Sequence, residues 1–350
     1  MPPVAEVPRA ARGSWPDRRV DARQAHGLIF AALVAASLLA VDIAGAPSLS
    51  AQVVVLALGT ALLGLPHGAL DHRVAAAAFQ PRWGGRWPLP FLLVYAGGIA
   101  LVLGGWAVAP SVTLLAFLLL SVMHFGMGDA IGSGPARVAE GLARGIAPIA
   151  VPAWTHPAEV ATLFSWITGE PRAAAAITEL LGGPLLFAGA LAATVMALLM
   201  PRRLLPWLAI ELAAVVTAFL VLPTLVAFTL YFCGLHSPRA LLSIASERGV
   251  APGASALAPL WREAAPLSLV ASALVFVAFL AAPASGSLSA EAVRTLFQWL
   301  AALTVPHMTL GALAALTSRS ARPFPVQPGT DARSGPAQLA AGGTGILGVP

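Results

Sequence analysis

Charged side chains are scarce in this sequence. Only 10% of its 350 residues are Asp, Glu, Lys or Arg, whereas 58% are hydrophobic, and the mean hydropathy is +0.83. In a soluble domain about a quarter of the residues are charged. A chain this apolar has more hydrophobic surface than a soluble core can bury, so the composition predicts an integral membrane protein.

Cysteine is almost lacking as well. Cys233 is the only one, which excludes a disulfide within the chain and any zinc or iron–sulfur site built from thiolates. The formal net charge is +5, yet the arginines form short clusters between apolar segments, with no aromatic residues interleaved. Such clusters orient membrane helices. We therefore expect no nucleic-acid partner.

Long apolar runs occupy most of the chain, and a run of roughly 18 or more residues can cross a bilayer as a helix. The candidate spans lie at about 27–45, 51–72, 89–108, 111–130, 145–168, 184–200, 204–222, 224–241, 264–282 and 295–316. The fifth is the weakest, because Pro148, Pro152 and Pro157 interrupt it. The sequence predicts an all-α, polytopic transmembrane helix bundle of about eight to ten spans.

The two ends of the chain are more polar than the rest. Residues 1–25 are rich in Arg and Pro and too polar for a cleavable signal peptide, so we predict a cytoplasmic N-terminal tail. Residues 318–350 are rich in Gly, Pro and Ala without any periodicity. This composition predicts a disordered C-terminal tail.

Arginine clusters also indicate how the spans are oriented. They precede the first candidate span and follow every even-numbered one. Because Arg and Lys concentrate in cytoplasmic loops, this pattern predicts that both termini are cytoplasmic and that the protein resides in the inner (plasma) membrane. Arg239, near the end of the eighth span, is expected to extend its side chain to the cytoplasmic interface.

Four histidines lie within apolar spans that run in the same predicted direction, each towards the cytoplasmic end. They are His67, His124, His236 and His307, in spans two, four, eight and ten. A polar side chain in hydrocarbon is costly unless it is paired, so such residues indicate a functional site. The alternative is that they join helices through hydrogen bonds. His26 and His156 are interpreted as interfacial or loop residues.

Carboxylates follow two of these histidines closely. In "GLPHGALDH", Asp71 would share the face of His67 on a continuous helix, whereas His72 would point away. In "HFGMGD", Asp129 follows His124. We interpret Asp71 and Asp129 as carboxylates that orient a metal-bound imidazole through hydrogen bonds. His72 is a candidate metal ligand, a residue that hydrogen-bonds to a ligand, or an interfacial residue.

Imidazoles on separate helices suggest a metal site. Neutral imidazole binds Fe, Zn, Cu and Ni, and three or four rings can enclose one ion while leaving coordination positions open. A redox metal in a dry, apolar bundle suits oxygen chemistry on an apolar substrate, because water and its side reactions are excluded.

The motifs "GLPHGALDH", "HFGMGD", "YFCGLHSPR" and "VPHM", in this order, resemble those of the Brp/Blh family of membrane-bound β-carotene dioxygenases. The resemblance covers about residues 50–315. It implies a non-haem Fe(II) enzyme that cleaves β-carotene, or a related carotenoid, at the central double bond with O2 to give retinal. Residues 26–317 would then be the catalytic domain.

The resemblance also implies which residues act. The family's histidine ligands correspond to His67, His124 and His236. The family's third motif commonly has another histidine where this chain has Ala240, so His307, or else His72, would complete the ligand set. The apolar substrate would lie between helices, in a tunnel lined in part by Phe125, Tyr231 and Phe232.

Two other functions were weighed. A di-iron desaturase or hydroxylase needs about eight clustered histidines, and the seven scattered ones here cannot supply them. A transporter or proton-coupled channel would have histidines at several depths and carboxylates within its spans. Asp42 and Glu211 are such carboxylates, so the transport alternative stays open on the sequence alone.

Overall fold

A computed structural model describes residues 15–247, 254–282 and 287–320. Within these ranges the chain forms helices and no β-strand. The helices are α1 (Trp15–Ala44), α2 (Leu49–Gly59), α3 (Leu65–Gly68), α4 (Asp71–Trp83), α5 (Pro88–Val108), α6 (Pro110–Asp129), α7 (Gly134–Thr155), α8 (Pro157–Thr168), α9 (Pro171–Leu180), α10 (Leu186–Leu199), α11 (Leu205–Val221), α12 (Thr224–Thr229), α13 (Ser237–Glu247), α14 (Ala254–Ala281) and α15 (Leu288–Ser320).

Eight helical segments in the described part of the chain are long and apolar enough to cross a membrane. They are Ala22–Ala44, Leu49–Arg86, Pro88–Val108, Pro110–Asp129, Pro171–Leu199, Thr224–Ser246, Leu257–Ala281 and Leu288–Ala314. The protein is therefore a multi-pass membrane protein, and the prediction of an all-α bundle with eight to ten spans is confirmed. α11, where a span was also predicted, is a shorter apolar helix.

The fifth candidate span, 145–168, which its prolines predict to be kinked, re-entrant or interfacial, is not one continuous helix. The chain forms two helices there, α7 and α8, which meet at His156. Pro157 explains the break, because the residue before a proline is disfavoured in the helical conformation. Pro148 and Pro152 stay inside α7.

The predicted tails are only partly described. α1 begins at Trp15, inside the segment predicted to be an N-terminal tail, and α15 continues to Ser320. The rest of both tails, residues 1–14 and 321–350, lies outside the described residues.

α7 forms the centre of the bundle, and nearly all of its residues from Ala139 to Ala153 are buried. Glycine allows α6 to pack directly on it. A Cβ at Gly126 would lie 1.9 Å from the carbonyl oxygen of Gly141, and one at Gly145 would lie 1.9 Å from the carbonyl oxygen of Val122. Small residues at such crossings let membrane helices approach closely. This contact positions the end of α6 that carries His124.

Buried charged residues link α7 to α11 and α13. Both guanidinium Nη atoms of Arg239 donate to the carboxylate of Glu211 at 2.6 Å, and Arg144 bonds to the same carboxylate. Arg144 Nε also donates to Glu140 at 2.9 Å. Arg239 is therefore buried and paired, and the prediction that it reaches the membrane interface is wrong. A carboxylate within reach makes burial of the guanidinium possible.

Two π-helical turns lie next to histidines of the apolar spans. One covers Thr60–Gly64 and precedes α3, which carries His67; the other covers Leu230–His236 and ends on His236 itself. A π-helical turn adds a residue to the helical repeat and changes the direction of the side chains that follow, and such turns are frequent at functional sites.

The helix that carries His67 ends at the next residue, Gly68. α4 starts anew at Asp71 after Leu70, whose ψ of 0° departs from the helical value. The expectation that Asp71 shares a helical face with His67 is therefore wrong. The break turns the carboxylate of Asp71 towards a different helix, α15.

Candidate metal centre

Four histidines from distant parts of the chain meet inside the bundle. The ligand atoms of His67, His124 and His307 all lie within 4.8 Å of one another. The ring centroids of His67 are 6.2 Å from His124 and 5.3 Å from His307. His236 completes the group, with its ring centroid 4.8 Å from that of His124. We refer to these four residues as the histidine cluster.

His67 is fixed by the backbone of its own helix. Its Nδ1 lies 2.6 Å from the carbonyl oxygen of Gly64 and 3.1 Å from Oγ of Ser237. A carbonyl can only accept, so Nδ1 carries the proton and the Nε2 lone pair is free to bind a cation. Gly64 also gives Phe232 room, since a Cβ at Gly64 would lie 2.5 Å from the Phe232 ring.

His307 is held by a carboxylate. Its Nδ1 lies 2.8 Å from both carboxylate oxygens of Asp71, and the hydroxyl of Tyr95 donates to Oδ2 of the same group. Tyr95 on α5, Asp71 on α4 and His307 on α15 thus form a chain of hydrogen bonds. The carboxylate fixes the proton on Nδ1 and leaves Nε2 as the ligand atom.

His236 and His124 face each other directly. Their Nε2 atoms are 3.2 Å apart, so they either share one proton or both face a common cation. Nδ1 of His236 lies 3.5 Å from Oδ2 of Asp129, at the end of α6. Arg23 Nη1 donates to the backbone oxygen of Asp129 at 3.2 Å, which ties α1 to this end of α6.

The three remaining histidines, His26, His72 and His156, lie outside the histidine cluster. His72 is directed to Glu263, with its Nε2 3.4 Å from Oε1, and its Nδ1 lies 3.0 Å from the carbonyl oxygen of Ala69. The structure therefore does not bring His72 into the histidine cluster. His26 lies within α1 and His156 at the bend between α7 and α8, and both are half-buried.

The donor atoms fit a first-row transition metal. Neutral imidazole nitrogen is a good ligand for Fe, Zn, Cu and Ni. Three of the four rings have Nδ1 directed to a carbonyl or a carboxylate, at Gly64, Asp71 and Asp129. Metal-bound histidines almost always show this arrangement, because it sets the tautomer and raises the basicity of the ligand atom.

A small cavity adjoins the histidine cluster. Its volume is about 50 Å³, and its walls include His67, His124 and His307 together with Phe125 and Phe232. Tyr231 does not line this cavity. Its ring packs against those of Phe125, at 5.3 Å, and His236, at 6.4 Å. The remaining walls are largely apolar, so the site combines metal-type ligands with a hydrophobic space.

Comparison with known proteins shows the family of this chain. The model of the family described as beta-carotene 15,15'-dioxygenase matches residues 58–314, a range that contains the whole histidine cluster. This chain belongs to that family. The resemblance found in the four sequence motifs is thus confirmed over most of the chain.

Two relatives of this protein match it over most of its length. The probable beta-carotene 15,15'-dioxygenase Blh of Halobacterium salinarum is 30% identical over 340 residues, covering 88% of this chain and 96% of the relative. The beta-carotene 15,15'-dioxygenase of an uncultured marine bacterium, 66A03, is 30% identical over 271 residues, covering 71% of this chain and 88% of the relative. No solved structure matches the chain.

Some residues around the centre of this dioxygenase-family protein are not visible from its sequence motifs. Tyr95 lies in an ordinary apolar span, and Ser237 follows His236 without any recognisable spacing to His67. The carbonyl of Gly64 is a backbone group and has no sequence signal. Only Tyr95 has a weak one, because a polar hydroxyl inside an apolar run requires a partner.

Proposed function

We propose that this protein is a metal-dependent oxygenase that cleaves β-carotene, or a closely related carotenoid, at its central double bond with O2 to give retinal. The observation that carries the proposal is the meeting of His67, His124 and His307, whose ligand atoms lie within 4.8 Å of one another. The ring of His236 lies beside that of His124, and a hydrophobic cavity adjoins the three ligand candidates. The names of the two relatives, both β-carotene 15,15'-dioxygenases, support the same reaction.

His67, His124, His236 and His307 would hold the metal, which we propose to be Fe(II). When bound, such a metal supplies a redox centre with positions open to O2. Ala240 stands where the family commonly has another histidine, and the proposed fourth ligand is His307 from α15. Its Nδ1 contact with Asp71 supports that role.

The residues around the cluster would prepare it for this chemistry. Asp71 and Asp129 keep carboxylates behind two of the rings, and the carbonyl of Gly64 keeps a proton on Nδ1 of a third. Phe125 and Phe232 line the adjoining cavity and would exclude water while holding an apolar chain. Position and dryness are what a protein contributes when a metal performs the redox step.

We further propose that residues 26–317 form the catalytic domain, that both termini are cytoplasmic and that the protein lies in the inner membrane. The distribution of arginines supports this orientation. A bilayer location suits the reaction, because carotenoids and O2 both partition into lipid, and the substrate could reach the site without crossing water.

The transport alternative loses its support. Glu211, one of its two carboxylates, is paired with Arg144 and Arg239. The other, Asp42, is exposed near the end of α1. Four of the seven histidines meet at one place rather than following a path across the membrane.

Expression in a bacterium that accumulates β-carotene tests the proposal. We expect the yellow colour to fade and retinal to appear, and His67→Ala to prevent both while the purified protein loses its metal. His72→Ala is the matched control, because it removes a histidine five residues away that faces Glu263. Persistent colour without any aldehyde from the unmodified protein would contradict the proposed reaction.

A further inference from the structure

The cavity at the histidine cluster lies between two other apolar cavities. On one side is a cleft of about 600 Å³ formed by α2, α14 and α15. It shares the side chains of Leu65, Leu300 and Leu303 with the cluster cavity. We refer to it as the outer cleft.

The outer cleft opens on the surface of the bundle. Several of its lining residues are large, apolar and exposed, for example Val54 at 55% and Phe276 at 60%. These residues belong to helices long and apolar enough to span a membrane, so exposed side chains on them face lipid. The outer cleft is therefore accessible from within the bilayer.

On the other side is a smaller cavity of about 80 Å³, lined by α6, α7, α8, α11, α12 and α15. It shares Phe117, Ser121 and Phe125 with the cluster cavity. In contrast to the outer cleft, much of its wall is buried. Leu163, for example, is only 6% exposed. We refer to it as the inner cavity.

The lining of both spaces suits a hydrocarbon. Neither contains a charged side chain, and Oγ of Ser121, at the junction, already donates to the carbonyl oxygen of Phe117 at 2.8 Å. Along α6, the residues lining the inner cavity extend from Leu114 to Phe125, which is about 16 Å at the helical rise per residue. This length is comparable to half of an extended C40 polyene; the volume of about 80 Å³ is smaller than that half, so the cavity has to widen when the polyene enters.

We propose that the three cavities form one path, in which a polyene enters from the bilayer through the outer cleft and its leading end stops in the inner cavity. The inner cavity, whose wall is largely buried, then determines which double bond lies at the histidine cluster. This inference rests on the proposed function and adds to it a physical basis for central cleavage: the depth of the inner cavity sets the position of the cut.

Changing the depth of the inner cavity tests the proposal. Leu163→Ala shortens a wall residue on α8, and Val160→Phe fills space on the same helix. With β-carotene as substrate, we expect Leu163→Ala to yield carbonyl products longer and shorter than retinal, because the leading end penetrates further. Val160→Phe should also move the cut off centre, giving unequal products of the same kind because β-carotene is symmetric, or lower the rate by about tenfold or more, the scale on which hydrophobic pockets discriminate.

Leu119→Ala is the matched control. Leu119 also lies on a wall-forming helix, α6, but is exposed, so this variant should give retinal alone. Liquid chromatography with mass spectrometry of the aldehydes, together with metal content and thermal unfolding of each purified variant, separates a shifted cut from a damaged protein. Retinal as the only product, at the unmodified rate, from both Leu163→Ala and Val160→Phe would overturn the proposal while leaving the proposed function intact.

Blocking the outer cleft gives an independent test. Ala57 lines the cleft on α2, and Ala57→Trp should lower the initial rate by about tenfold or more without changing the metal content or the product. Ala190→Trp places the same side chain at an exposed position on α10 and should leave the rate unchanged. Equal rates for the two variants would show that the substrate does not use this cleft.

A binding measurement separates access from chemistry. In the inactive His67→Ala background, the protein should retain β-carotene, visible by its absorbance, and adding Ala57→Trp should reduce the amount bound. If the unmodified protein forms no retinal at all, the proposed function fails; if it forms retinal but Ala57→Trp changes neither binding nor rate, only the proposed path fails.

Discussion

Two clusters of buried polar side chains lie close together in this bundle. The polar atoms of one face groups of the same kind, and those of the other face groups of opposite charge. In the histidine cluster, four side chains of one kind turn nitrogen atoms towards each other, 3.2 Å apart in the case of His124 and His236. In the second cluster, formed by Glu140, Arg144, Glu211 and Arg239, every guanidinium faces a carboxylate. We call this second group the ion-pair cluster.

The difference indicates different roles. Buried opposite charges satisfy one another and need no ligand, so the ion-pair cluster joins α7, α11 and α13 as a structural unit. Imidazoles facing one another present more than two ring nitrogens to one point, and a cation satisfies their lone pairs together. The two clusters are also connected, since Glu140 accepts the backbone N–H groups of Ile131 and Gly132 at 2.9 and 2.8 Å, just after Asp129.

The largest expected effect is the loss of activity and bound metal in a variant of the histidine cluster that still folds. His236→Ala should abolish retinal formation and metal binding, because it removes a ligand candidate, yet leave the helical circular dichroism spectrum unchanged. His72→Ala serves as the control and should keep both. Full metal occupancy in His236→Ala, measured by elemental analysis of purified protein, would remove this residue from the metal site.

Breaking the ion-pair cluster should lower the stability of the fold, in contrast to His236→Ala, which should leave the fold intact. Glu211→Ala leaves Arg144 and Arg239 buried without a shared carboxylate, and removing one partner of a buried pair costs about 3–5 kcal/mol. We expect a markedly lower melting temperature in detergent. Asp42→Ala removes an exposed carboxylate and should leave the melting temperature unchanged. A Glu211→Ala protein as stable as the unmodified one would contradict the structural role.

A smaller effect, on metal affinity, is expected from changing Asp71, whose carboxylate contacts His307. Asp71→Asn keeps the shape of the side chain but removes its charge, and such changes typically weaken metal binding by about 10–100-fold. Competition with a chelator of known affinity measures this loss. Unchanged affinity would mean that the contact of Asp71 with His307 does not tune a metal ligand.

The smallest effect concerns Tyr95. Tyr95→Phe removes a single hydrogen bond to Asp71, worth about 0.5–1.5 kcal/mol net, so metal affinity should fall by about two- to twelvefold. The double variant Tyr95→Phe/Asp71→Asn should lose less than the sum of the two single changes, because both act through one contact. Strict additivity would show that Tyr95 acts independently of Asp71.

Some features misled sequence reasoning for a definable reason. The spacing of His67 and Asp71 predicts a shared face only if the helix is continuous, and the break after Gly68 directs Asp71 to His307 instead. Arg239 was expected at the membrane interface because arginine avoids hydrocarbon, but Glu211, 28 residues earlier in the chain, lies within 2.6 Å of it. Both errors arise from partners that are distant in sequence.

The sequence by itself determined that this protein is a bundle of membrane helices and that four histidines within them need an explanation. Both follow from local physics: an apolar run of sufficient length spans a bilayer, and a polar group inside it is costly wherever it points. The rotation of each helix about its axis is not local, because packing against neighbours sets it. Tertiary structure alone decided that the four rings meet, that the Tyr95 hydroxyl donates to Asp71 and that an apolar cavity adjoins the histidine cluster.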